Sequence, residues 1–191
     1  KEAMECTTKG FIAMVPALLI LTFAVTLKNM TGMLGAAEYV FGVMQGAARS
    51  LYNLLPAIIF LVGCGLAFST GTSWGTFGIL IPIVTDVFPA DCQLLFIGVS
   101  ACLAGAVMGD HCSPISDTTI MASAGAQCDH LNHVSTQIPY VLTVAAISFV
   151  SYVIAGFVQN VYICLAIGVA LTVATLFVLR AATSRRETAN A

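Results

Sequence analysis

Long stretches without a single charge constrain this chain more than anything else in it. Phe11 to Leu27, Gln137 to Val158 and Val161 to Leu179 carry no Asp, Glu, Lys or Arg, and only 8% of the 191 residues are charged. A soluble domain needs roughly a quarter of its residues charged to cover its surface. Six apolar runs follow one another, most of them near the roughly 20 residues a helix needs to cross a hydrocarbon core about 30 Å thick. In such a medium each backbone polar group must be satisfied within its own segment, so the expected class is all-α, a polytopic membrane protein.

The net charge of -2, with no cluster of Lys or Arg, excludes a nucleic-acid groove. The seven cysteines (Cys6, Cys64, Cys92, Cys102, Cys112, Cys128, Cys164) show no paired spacing, and several lie in apolar runs where Cys acts as a small hydrophobe. The chain opens on Lys1, shows no signal-peptide cleavage pattern and enters an apolar run almost at once, as a fragment of a longer protein would.

The runs differ in their interruptions. Phe11 to Leu27 reads as a first span that tolerates Pro16. Thr31 to Asn53 mixes Glu38, Gln45, Arg49 and Asn53 with apolar residues and reads as an interfacial helix, with a tilted span as the alternative. Residues 54–88 hold two apolar arms around Thr70-Gly71-Thr72-Ser73-Trp74-Gly75-Thr76. The second arm, Phe77 to Phe88, reaches only about 18 Å at helical rise, too short to cross, so the segment predicts a re-entrant helical hairpin. Residues 92–126 predict a discontinuous helix broken between Asp110 and Ser116. Residues 137–158 and 161–179 are two further spans. The transmembrane domain is thus expected over 1–180, with 181–191 as a cytoplasmic tail. Basic residues collect on cytoplasmic flanks, which puts Lys1, Lys9, Arg180, Arg185 and Arg186 inside against Lys28 and Arg49 outside.

The break carries the chemistry. Gly109 to Thr119 places Asp110, His111, Ser113, Ser116, Asp117, Thr118 and Thr119 in an otherwise apolar stretch. A central Asp costs about 2.5–3.5 kcal/mol on insertion scales, so two of them call for a functional reason. Pro114 removes a donor and is expected to free nearby carbonyls, which with the hydroxyls and carboxylates form a hard-oxygen site suited to sodium on Asp110 and Asp117. A carboxylate withdrawn from water holds a proton more readily, so sodium and proton can compete for it. Thr72 and Ser73 at the hairpin tip are expected to complete the site. No cofactor is expected beyond the transported sodium and proton.

Cys128-Asp129-His130-Leu131-Asn132-His133 reads as a cytoplasmic loop in which His130, His133 and Asp129 could sense pH. A zinc cluster there, or an intramembrane metal-dependent hydrolase built on Asp110, His111, Asp117, His130 and His133, is the alternative from another class. Glu38 and Asp86 are read as interfacial acids.

The Gly109–Thr119 stretch, followed by Cys128-Asp129-His130 and Thr136-Gln137-Ile138-Pro139-Tyr140, resembles the C-terminal half of the NhaC-type sodium/proton antiporter family. Gly71-Thr72-Ser73-Trp74-Gly75-Thr76 with Ile81-Pro82 matches it too, and the match runs from about residue 10 to 160. The resemblance implies one half of an inverted-repeat transporter of the ion-transporter superfamily, each half bringing a hairpin and a broken helix to the substrate site. It implies a multi-pass protein of the bacterial cytoplasmic (inner) membrane and an intact protein about twice this length. Relatives of this kind exchange malate and lactate or carry amino acids, which leaves small organic solutes as the alternative substrates. The expected partners are membrane lipid, the missing N-terminal half, the transported ions or solutes, and a second copy of the chain as a homodimer. Carried over residue by residue, the resemblance nominates Asp110, His111, Ser113, Ser116, Asp117, Thr118 and Thr119.

Overall fold

The computed structural model describes residues 2–35, 38, 39, 42, 51–89 and 92–190. Among the described residues seven α-helices can be bounded, in order: α1 (Glu2–Met33), α2 (Leu55–Thr70), α3 (Ser73–Val87), α4 (Gln93–Cys112), α5 (Asp117–Gly125), α6 (His130–Val158) and α7 (Val161–Asn190). A 3₁₀ turn, Tyr52–Leu54, leads into α2, and no strand occurs among the described residues. Among the described residues four stretches, Tyr52–Thr70, Gln93–Cys112, His130–Val158 and Val161–Ala181, are long and apolar enough to cross a membrane. The chain is a multi-pass α-helical membrane protein.

α2 and α3 form the expected helical hairpin. Gly71 ends α2 in the left-handed region, φ 66°, where its N–H bonds the Ala67 carbonyl, and Thr72 begins α3 as an extended N-cap whose Oγ1 accepts from the Gly75 N–H. At the open end Tyr52 meets Phe88 edge to face, with ring centroids 5.4 Å apart. At 15 residues α3 reaches about 22 Å, short of the hydrocarbon thickness.

The core lies where α2 and α3 pack on α4, with Leu55, Ile59, Phe60, Leu80, Val84 and Leu94 buried. Lipid supplies no hydrophobic drive between helices, so close approach must come from small residues. A Cβ on Gly63 would meet the Ala106 nitrogen at 3.2 Å, one on Gly105 would strike the Phe60 carbonyl, and one on Gly109 the Cys64 carbonyl. The Gly105-x-x-x-Gly109 pair is therefore the contact line of α4 on α2. α6 closes this layer through Tyr152, whose ring lies 5.4 Å from Phe60 and whose hydroxyl donates to the Ser100 carbonyl at 3.1 Å. α7 leaves Val161, Tyr162, Leu165 and Phe177 exposed, as an apolar helix does when its solvent is hydrocarbon.

Four boundaries depart from expectation. α1 runs from Glu2 to Met33, through Lys9 and Lys28, well beyond the uncharged run. α4 continues to Cys112, so Asp110 and His111 occupy its last turn and the break narrows to Ser113–Ser116. The loop expected over 128–133 ends at Asp129, which caps α6 by accepting the Asn132 N–H at 2.7 Å and so starts the helix at His130. Residues 181–190 continue α7 as helix past the apolar stretch, which ends at Ala181. Glu38 and Asp86 are exposed, in keeping with interfacial positions. The interfacial helix expected over 31–53, with Gln45 and Arg49, falls largely outside the described residues.

Candidate functional site

The break between α4 and α5 is four residues long, and three of them are fastened to three different elements. Ser113 donates its hydroxyl to the Phe68 carbonyl near the end of α2, at 2.7 Å. The Pro114 carbonyl accepts from Nε2 of His130 on α6, at 2.6 Å. The Ile115 carbonyl abuts the hairpin tip, where a Cβ on Gly71 would come within 2.5 Å of it. Gly71 is thus required twice, by its left-handed backbone and by this approach.

Locally the break is built from hydroxyl caps. The Ser113 N–H bonds the Asp110 carbonyl and closes α4 with a short turn. Ser116 then opens α5 as its N-cap, its Oγ accepting from the Thr119 N–H at 3.4 Å. The same Oγ donates to Oδ1 of Asp110 at 2.7 Å, and Thr118 Oγ1 donates to Oδ2 at 3.3 Å. The two hydroxyl oxygens lie 2.7 Å apart.

Asp110 is therefore a carboxylate 2% exposed, held at the start of α5 by two hydroxyls. A hydrogen bond to a charged group contributes about 1.5–3 kcal/mol. Two of them offset the about 2.5–3.5 kcal/mol cost of a central Asp. The positive end of the α5 dipole adds to this in the same direction.

The expected residues divide clearly. Asp110, Ser113, Ser116, Thr118 and Thr119 come together at the break. Asp117 is only partly buried, at the first position of α5, where an acid complements the helix dipole. His111 points away: its Nδ1 lies 2.8 Å from the Val107 carbonyl, and its ring lines a mostly apolar groove of about 880 Å³ between α4 and α6, beside Gln137 and Tyr140. Thr72 caps α3 and Ser73 follows it; the tip reaches the break through Gly71 instead. Asp129 caps α6, and His133 lies one turn past His130.

Of the carbonyls near Pro114, that of Asp110 accepts the Ser113 N–H and that of Pro114 itself accepts from His130. The metal-cluster readings fail on geometry: among the described residues no three His, Cys, Asp or Glu side chains converge. Cys128 Sγ lies 3.7 Å from the Ser123 carbonyl, and His130 is committed to Pro114 and Ser123.

Sequence reasoning missed Ser123. It is 3% exposed, and its Oγ lies 3.0 Å from Nδ1 of His130. The signal was present, because Ser116, Thr119 and Ser123 recur at i, i+3 and i+7, the spacing of one helix face. The buried face of α5 thus carries the hydroxyls of Thr119 and Ser123 beside Ile120.

The model of a Na+/H+ antiporter family matches residues 1–157. The chain belongs to the Na+/H+ antiporter family. Within this antiporter family's reach, an uncharacterized protein of Haemophilus influenzae is 45% identical over 152 residues, which cover 79% of this chain and 29% of that protein. The malate-2H(+)/Na(+)-lactate antiporter of Bacillus subtilis is 31% identical over 111 residues, covering 58% of this chain and 23% of the relative. The arginine/ornithine antiporter ArcD of Halobacterium salinarum is 32% identical over 112 residues, covering 54% and 22%. The chain thus matches less than a third of the length of these relatives, which are longer than the doubled length expected above. No solved structure matches the chain significantly.

Proposed function

We propose that this chain is the ion-binding part of a secondary transporter that exchanges sodium for protons across the bacterial inner membrane, with Asp110 as the carboxylate that carries either ion. One observation carries the reading: the most buried acid among the described residues has hydroxyl partners there, not a guanidinium or ammonium. A fixed cation would hold Asp110 permanently ionised and closed to another ligand. Hydroxyls donate to the carboxylate, accept from it when it is protonated, and turn their lone pairs to a sodium ion bound by it. The same two hydroxyls therefore serve every state that an exchange cycle needs.

In this reading the hairpin is re-entrant, and the chain is one of two inverted repeats that take turns exposing the site to either side. No covalent chemistry is involved. The test is flux in proteoliposomes of the full-length transporter: a sodium gradient should drive proton movement in wild type and not in Asp110→Asn. The reading fails if that variant exchanges at the wild-type rate.

The names of the relatives favour one second reading, coupled exchange of a small organic acid or amino acid. The hydroxyl and carboxylate set at the break provides no cationic partner for a dianion, which weighs against malate at this site. Flux with malate, lactate or arginine as the only exchangeable solute separates the two.

A further inference from the structure

We propose that His130 is a positioning residue of the ion site: its imidazole clamps the Pro114 carbonyl and thereby fixes the break around Asp110. This rests on the reading of Asp110 as the exchanging carboxylate.

Four residues, Ser113 to Ser116, connect α4 to α5, and within them the chain makes only short backbone turns, Ser113 to Asp110 and Ser116 to Ser113. Such a connection has no helical ladder of its own, so its shape depends on outside contacts. Two come from the hairpin, at Ser113 and Ile115. The third is His130, which reaches back 16 residues in sequence from the first turn of α6. A carbonyl can only accept, so Nε2 carries the proton and donates at 2.6 Å. With Nε2 as the donor, Nδ1 accepts from Ser123 Oγ at 3.0 Å, a proton shared with the Ile120 carbonyl at the same distance, and this contact orients the ring. Ser123 in turn lies on the buried face of α5 with Thr119, and Thr119 donates its N–H to the Ser116 Oγ that bonds Asp110.

His130 thus joins both sides of the site. It holds Pro114 two residues before Ser116, and it holds Ser123 two turns after it. Without it, the Pro114 carbonyl loses its donor, and the hydroxyls that face Asp110 lose the frame that aims them.

The test uses the full-length transporter in proteoliposomes, with His130→Ala, His130→Gln and Ser123→Ala. A glutamine Nε2 can donate to Pro114 as the imidazole does; alanine cannot. The apparent KM for sodium should rise about tenfold in His130→Ala, the scale of one lost buried hydrogen bond, with maximal rate per folded molecule within about twofold. His130→Gln should restore most of the affinity. Ser123→Ala, which keeps the Pro114 contact, should raise KM about threefold and serves if His130→Ala does not fold. Amide exchange over 113–117 should quicken in His130→Ala and not in His130→Gln. An unchanged KM in His130→Ala, or a His130→Gln variant as weak as the alanine, overturns the proposal. Faster exchange over 113–117 in His130→Ala, alongside an Asp110→Asn variant that still transports, keeps the clamp and removes the Asp110 reading. Unchanged exchange alongside an inactive Asp110→Asn does the reverse.

Discussion

The hairpin tip and the helix break look alike in sequence and differ in structure. Both interrupt apolar helices with Gly, Ser and Thr, and both end one helix and start another within a few residues. At the tip the hydrogen bonds are local: Gly71 closes α2, and Thr72 caps α3 and accepts Thr76's hydroxyl at its carbonyl. At the break they are long-range, running to α2, to α6 and to a buried carboxylate. A polar interruption in an apolar helix therefore marks a turn, and it marks a site only where its hydroxyls converge on an ionisable group.

Four substitutions press on that difference, in decreasing order of expected effect. Ser116→Ala removes a 2.7 Å bond to Asp110, worth about 1.5–3 kcal/mol, and should raise the KM for sodium by roughly 10- to 100-fold in flux assays. Gly71→Ala forces a Cβ into the Ile115 carbonyl and a left-handed backbone, at about 1–2 kcal/mol for the backbone alone. It should lower the thermal midpoint in detergent and weaken sodium binding, since it strains the point where tip and break touch. Thr72→Ala should lower the same midpoint by the equivalent of about 1 kcal/mol, a lost N-cap, and leave the KM for sodium unchanged. An equal effect of Thr72→Ala and Ser116→Ala on KM would erase the distinction between the two regions. Asp117→Asn should cost only a dipole interaction of about 0.3–1 kcal/mol, visible in stability and absent from transport.

Much of the fold was legible because a bilayer leaves few choices. Uncharged runs must be helices, so the hairpin over 54–88 and the break after α4 stood out as the places where polarity intrudes. Helix starts were harder. Asp129 resembles any loop acid until its carboxylate is seen on the Asn132 N–H, and with that cap His130 and His133 move from a loop into a helix. Asp110 and Asp117 were equivalent candidates in sequence, both within one polar interruption of an apolar stretch. Six residues of helix and turn lie between them, enough to bury one against Ser116 and leave the other half-exposed on the first turn of α5. His130 could not be paired with Pro114 from sequence, since that contact depends on how α5 and α6 pack.

The comparison between these two acids gives the most direct test. Sodium-driven proton movement should be measured in proteoliposomes of full-length protein carrying Asp110→Asn or Asp117→Asn, at matched amounts of folded transporter. The buried carboxylate is expected to be indispensable, with exchange lost in the first variant and retained within about twofold in the second. Undiminished exchange in Asp110→Asn, or equal loss in both, would contradict it.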